Sequence, residues 1–169
     1  MNKRYKLLFF SLIAMCLSGC GIYTFSGTSI QPDVKSITIV NIENRAMQVN
    51  PTLANDMTVA LQDKYRKLTK LDMLSEGGDL VVSGYIATYE VTPTAITSEE
   101  VASMNRLTIS VRIKFVNEKY PEDNFERTFA AYQDYDSNNS LDSVQAILCE
   151  QIIETLVEDI FNATVADWK

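Results

Sequence analysis

The chain has 169 residues, with 15 Lys+Arg against 22 Asp+Glu, and contains no histidine. A net charge of −7 argues against a nucleic-acid partner, because such binding rests on cationic side chains that neutralise phosphates. Without histidine the commonest general base and a favoured metal ligand are missing, which excludes Ser-His-Asp, Cys-His and His-based zinc chemistry.

Lys3, Arg4 and Lys6 precede an apolar run from Leu7 to Leu17. A basic start, a short apolar stretch and small residues beyond it form an export signal. The run falls well short of the roughly 20 apolar residues needed to span a bilayer as a helix. Leu17-Ser18-Gly19-Cys20 resembles a bacterial lipobox, in which the Cys20 thiol receives a diacylglyceryl group and cleavage makes Cys20 the mature N-terminus. Residues 1–19 are therefore expected to be a lipoprotein signal peptide and residues 20–33 a lipidated N-terminus with a short tether. The remaining 150 residues carry 12 Lys+Arg against 22 Asp+Glu, a net charge of −10. That balance argues against electrostatic adhesion to anionic lipid and leaves attachment to the acyl chains, two or more of which anchor stably. With Cys16 removed and Cys20 lipidated, Cys149 has no disulfide partner and reads as a small buried hydrophobe.

Ile22, Tyr23 and Phe25 suggest that part of the tether docks on the domain, and residues 34–169 read as one domain. Val34 to Ile42 alternates β-branched residues and predicts a strand. Asn50-Pro51 is a helix start, with Asn50 expected to cap. Leu53, Met57, Ala60, Leu61, Tyr65 and Leu68 then keep helical spacing, opposite Asp56, Gln62, Asp63, Lys64 and Arg66. A short run at Leu71–Leu74 leads to the turn Glu76-Gly77-Gly78-Asp79. Leu80 to Val91 predicts a long strand ended by Pro93, followed by a polar loop over residues 94–103 with Glu99 and Glu100. Asn105 to Asn117 alternates most clearly, with Leu107, Ile109, Val111, Ile113 and Phe115 facing one way. A connection containing Pro121 precedes a further strand, Phe125 to Tyr132, with Phe125 and Phe129 inward. Ser140 is expected to cap a last helix, whose apolar positions run from Leu141 through Ile147 to Val165, and Trp168 closes the chain. The order β-α-β-β-β-α, with room for an extra short strand at Leu71, predicts an α+β fold. It would be a two-layer α/β sandwich, a mostly antiparallel four-stranded sheet with both helices packed on one face.

Three features could carry chemistry. Asp134-Tyr135-Asp136-Ser137-Asn138 opens like a calcium loop, but Asn139 stands where Gly is needed and Gln145 where a bidentate Glu is needed, so an ordinary loop is the better reading. Arg106, Arg112 and Lys114 line up on the polar side of their strand, with Thr108 and Ser110 between them. Such a cationic stripe can hold phosphate or carboxylate groups, or be the solvated face of a one-sided sheet. Tyr85 and Tyr89, with Val81 and Ala87 on the preceding strand, either widen that stripe into a mixed binding face or are ordinary sheet surface. No nucleophile–base pair, phosphate-cradling loop or metal cluster is visible, and no cofactor beyond the covalent lipid is expected.

Several stretches together resemble the LptE-like lipoproteins of lipopolysaccharide (LPS) assembly in Gram-negative outer membranes. They are Cys20–Gly27, Ile30–Ile37, Asn50-Pro51-Thr52-Leu53, Gly78-Asp79-Leu80 with Gly84 and Tyr89, Asn105–Ile109, and Leu156–Asn162 with Trp168. The resemblance implies an anchor in the inner leaflet of the outer membrane and a place inside the LptD β-barrel. There such a protein acts as plug and assembly factor, without catalysis, and assists LPS insertion by binding it. LPS would then be the ligand of Arg106, Arg112 and Lys114, of which only Arg106 lies in a matching motif. The alternatives are a surface-displayed ligand-binding or adhesive lipoprotein, and an enzyme working with carboxylates alone. Gly21-Ile22-Tyr23 lacks the acidic cluster that often accompanies surface export, which disfavours the first.

Overall fold

The computed structural model describes residues 30–48, 50–94 and 103–166. The expected signal peptide, Cys20, most of the expected tether, Glu99, Glu100 and Trp168 lie outside the described residues. Among the described residues six strands and two α-helices follow one another: β1 (Ser36–Ile39), β2 (Glu43–Asn44), α1 (Leu53–Leu68), β3 (Asp72–Leu74), β4 (Leu80–Thr94), β5 (Met104–Asn117), β6 (Phe125–Asp136) and α2 (Leu141–Phe161). A π-helical turn, Asn162–Ala166, continues α2.

The α+β sandwich is as the periodicities predict, with a sheet larger and more mixed than the mostly antiparallel four strands expected. Its order is β3-β1-β4-β5-β6, with β2 also on β4. β1 is parallel to both β3 and β4, and β2 is parallel to β4. The β4-β5-β6 meander alone is antiparallel. The reason is α1: a helix between two neighbouring strands works as a crossover, and a crossover returns the chain parallel. β2 and β3 are only 2 and 3 residues long, too short for alternation to show.

Both helices cover the sheet face that carries Ile37, Val82, Ile86, Ile109, Val111 and Ile113, each fully buried. A fully buried side chain of this size contributes roughly 1.5–3 kcal/mol. From α1 come Leu53, Met57, Leu61 and Tyr65, and from α2 come Ile152, Leu156 and Ile160, all at 0 % exposure. The Tyr65 ring meets Phe161 edge-on, centroids 5.1 Å apart, and the Tyr65 hydroxyl hydrogen-bonds the Thr164 hydroxyl. Burial pushes the Tyr65 pKa up.

Some positions depart from the simple periodic reading. Leu68 and Ile147, in phase with their helices' apolar stripes, stand exposed at 49 % and 61 %, because each lies beyond the edge of the sheet-facing arc. Asn50 Oδ1 accepts from the Thr52 N–H at 3.1 Å, shaping the turn before α1 rather than capping it. Ser140 occupies the N-cap position of α2, yet its side chain makes no cap bond; its carbonyl accepts from Ser143 instead. Pro93 does not end β4 but pairs with Asn105 inside it. Beyond Ile86 only β5 flanks β4, so the missing N–H can fall on an unpaired edge.

Candidate functional site: the uncovered sheet face

Opposite the helices, the sheet presents a polar face centred on β5. Strand alternation puts Arg106, Thr108, Ser110, Arg112 and Lys114 there, as expected from the sequence. Across β6 their register partners are Asp134, Tyr132, Ala130, Thr128 and Glu126. Across β4 the partners of Arg112 and Lys114 are Tyr85 and Ser83.

The neighbouring strand supplies counter-charges. Arg106 donates through Nε to Asp134 Oδ1 at 2.7 Å and through Nη2 to Oδ2 at 2.9 Å, a bidentate fork. Its guanidinium also lies 3.7 Å from the Tyr132 ring centroid. Arg112 Nε donates to Glu126 Oε1 at 2.5 Å. These hydrogen bonds raise the pKa of both arginines and hold that of Asp134 below the usual carboxylate range. On the far side of β4, Arg45 lies 4.2 Å from the Tyr85 centroid while paired with Glu43 at 2.8 Å. Lys114 is the one member of the stripe without an ion pair among the described residues. The face is therefore a row of cations in which Arg106 is forked over Tyr132, Arg112 holds a single bond to Glu126, and Lys114 has no ion pair among the described residues.

Tyr89 does not belong to this face. The register of β4 against β5 shifts between Ile86 and Thr88, so Ala87 is an extra residue in a bulge. Ala87 and Thr88 both turn outward, and Tyr89 goes into the core at 6 % exposure. Burial pushes the Tyr89 pKa up to about 12, and its hydroxyl makes no hydrogen bond of good geometry. Strict alternation places Tyr89 with Tyr85; the bulge separates them.

The Asp134–Asn138 segment is not a cation loop. Asp134 and Asp136 lie within β6, Tyr135 is buried, Asp134 holds Arg106, and Asp136 Oδ1 accepts from the Asn138 N–H at 2.8 Å. Among the described residues no group of three or more Cys, Asp or Glu is placed to hold a metal ion. Cys149 is buried and free, within 3.6 Å of the Asn50 amide nitrogen, and burial raises its pKa. It lines a groove of about 730 Å³ between α1 and α2, a second concavity that carries no converging catalytic set.

Residues 34–164 match the family model for LptE, lipopolysaccharide-assembly. The chain belongs to the LptE family. The match spans every strand and both helices, including the strand that bears Arg106, Arg112 and Lys114. No curated protein sequence matches the chain at significance. Among solved structures, protein XCC0632 from Xanthomonas campestris is similar in fold, with TM-score 0.54 at 10 % identity over 79 % of this chain and 88 % of that one. Lipoprotein B from Nitrosomonas europaea gives TM-score 0.48 at 11 % identity, covering 78 % and 85 %. A minor lipoprotein from Acinetobacter baumannii gives 0.46 at 15 %, covering 75 % and 89 %. At these identities the likeness to XCC0632 concerns the fold alone, so the LptE assignment rests on the family match.

Proposed function

We propose that this LptE-family chain is a lipoprotein anchored through Cys20 in the inner leaflet of the outer membrane. There it serves as plug and assembly factor for an LptD-type β-barrel during LPS insertion. The observation that carries the reading is the family match over residues 34–164 behind a lipobox at residues 17–20. No helix among the described residues is long and apolar enough to cross a membrane, which accords with attachment by lipid. The role is one of binding and does not call for catalysis.

In this reading the uncovered sheet face meets the ligand. LPS presents clustered phosphates and carboxylates. Lys114 offers them an ammonium without an ion pair among the described residues, while Arg106 and Arg112 each keep guanidinium nitrogens outside the Asp134 fork and the single Glu126 bond. An incoming phosphate must then compete with, or share, those two carboxylates. The deciding experiment is a pull-down of the lipidated protein from membranes. Recovery of a barrel of the LptD type is expected, as is LPS held short of the cell surface on depletion. Depletion that leaves LPS export intact, with no barrel recovered, overturns the proposal.

A further inference from the structure

Net charge alone disfavours contact with an anionic surface, yet the cations are not spread evenly. At the C-terminal end of α1 a hollow of about 420 Å³ is lined by Ile30, Leu68, Lys35, Lys67 and Lys70, among others. All three lysines are exposed, and none forms an ion pair among the described residues. The acids nearest in sequence are engaged or turned away. Asp79 Oδ2 accepts from the Lys35 and Ser36 N–H groups, and Asp79 also pairs with Lys119. Asp33 Oδ1 accepts from the Tyr120 hydroxyl. Asp72, in register with Ser36, lies on the sheet face opposite the helices.

Two further observations say what this pole meets. Leu68 is half exposed between the lysines, the pairing of apolar side chain and snorkelling ammonium that suits a bilayer interface. The hollow also holds Ile30, where the described chain begins, ten residues after Cys20. Even fully extended, that stretch reaches only about 33 Å.

We propose that the pole formed by Lys35, Lys67, Lys70 and Leu68 lies against the membrane surface and binds the phosphates of anionic phospholipids there. The orientation follows: the acidic remainder of the domain is held away from the leaflet, beyond a Debye length of roughly 8 Å, so local attraction outweighs the repulsion of the net charge. The proposal rests on Cys20 as the anchor for its geometry, but its test does not.

The test uses residues 20–169 with Cys20→Ser, which carries no acyl chain and keeps the whole buried core, Val34 to Val165. Co-sedimentation is measured with phosphatidylglycerol-rich vesicles, with phosphatidylcholine vesicles, and with vesicles doped with LPS. The expected result is salt-sensitive binding to the phosphatidylglycerol vesicles and none to the phosphatidylcholine vesicles, while binding to the LPS-doped vesicles survives the three lysine changes and is lost with Arg106→Glu and Lys114→Glu. The combined Lys35→Glu, Lys67→Glu and Lys70→Glu variant should lower the phosphatidylglycerol binding on the order of 100-fold, at roughly fivefold per lysine. Lys114→Glu should leave it unchanged, and Leu68→Ser should weaken it at every salt concentration. The corresponding three Lys→Gln changes, with an unaltered thermal melt, guard against misfolding. No binding to phosphatidylglycerol, binding indifferent to the three lysines, or binding only where LPS is present overturns the proposal. Labelled palmitate incorporation at Cys20 in cells tests the anchor separately.

Discussion

Arg106 and Asp134 face each other across β5 and β6 as register partners, closed by two hydrogen bonds of 2.7 and 2.9 Å. The fork holds the guanidinium over the Tyr132 ring and occupies two of its donors. Removing the carboxylates should therefore sharpen the face as an anion site. Asp134→Asn together with Glu126→Gln is expected to tighten LPS binding to the purified protein, and Arg106→Glu with Lys114→Glu to weaken it, both with the fold intact. Unchanged binding in both variants would leave the face as solvated surface.

Asp79 ties the start of β1 to the start of β4. Its carboxylate accepts from the Lys35 and Ser36 N–H groups at 2.7 and 3.1 Å, while its own N–H donates to Ser36 Oγ at 3.0 Å. Asp79→Ala should cost about 1–3 kcal/mol in a denaturant titration. The Lys35 backbone bond is the main cause holding the Asp79 pKa below its usual value. A depressed folded-state pKa means the stabilisation is complete above the unfolded value, near pH 4, and is lost as pH falls through the folded one. Glu158, lowered chiefly by the hydrogen bond from Lys64, acts in the same direction. Melting temperature is expected to drop below about pH 4, with a shallower drop in Asp79→Ala.

The adjacent glycines should respond differently to alanine. At Gly78 a Cβ would meet the Thr38 nitrogen at 2.6 Å and the Ile37 carbonyl carbon at 2.7 Å, both backbone atoms that cannot step aside. Gly77 has open space but a φ of 71°, which costs an alanine roughly 1–2 kcal/mol. Thermal melts should rank Gly78→Ala well below Gly77→Ala, and both below the parent.

Cys149 should behave as packing rather than as a reagent. Buried at 6 % exposure with a raised pKa, it is expected to resist thiol-specific labels under native conditions and to react fully in denaturant. Fast native labelling would mean that α2 opens readily around it.

Long periodic segments were legible before any coordinates: α1, α2 and the β4-β5-β6 meander follow directly from spacing, and the polarity of β5 placed its cations on the outer face. Three things were not legible, each for a physical reason. β2 is too short to show a period, β3 shows only as the short run at Leu71, and the parallel pairing is imposed by the path of α1. The counter-charges depend on the β5-β6 register, which puts Asp134 opposite Arg106 and Glu126 diagonal to Arg112 and which β5 does not encode by itself. The lysine pole gathers residues from two segments, Lys35 before β1 and Lys67 with Lys70 at the end of α1, so no local window contains it.

The bulge at Ala87 gives β4 two frames of alternation joined at one residue. Before it, residues of even number face the core; after it, residues of odd number do, as Tyr89 and Val91 show. A polar substitution at the exposed Ala87 should pass unnoticed, and its deletion would join Ile86 to Thr88 in plain alternation, with Tyr89 and Val91 still facing the core and the bulge gone. What the extra residue adds is a local bend in β4, so its loss should straighten the strand without moving a core side chain across the sheet.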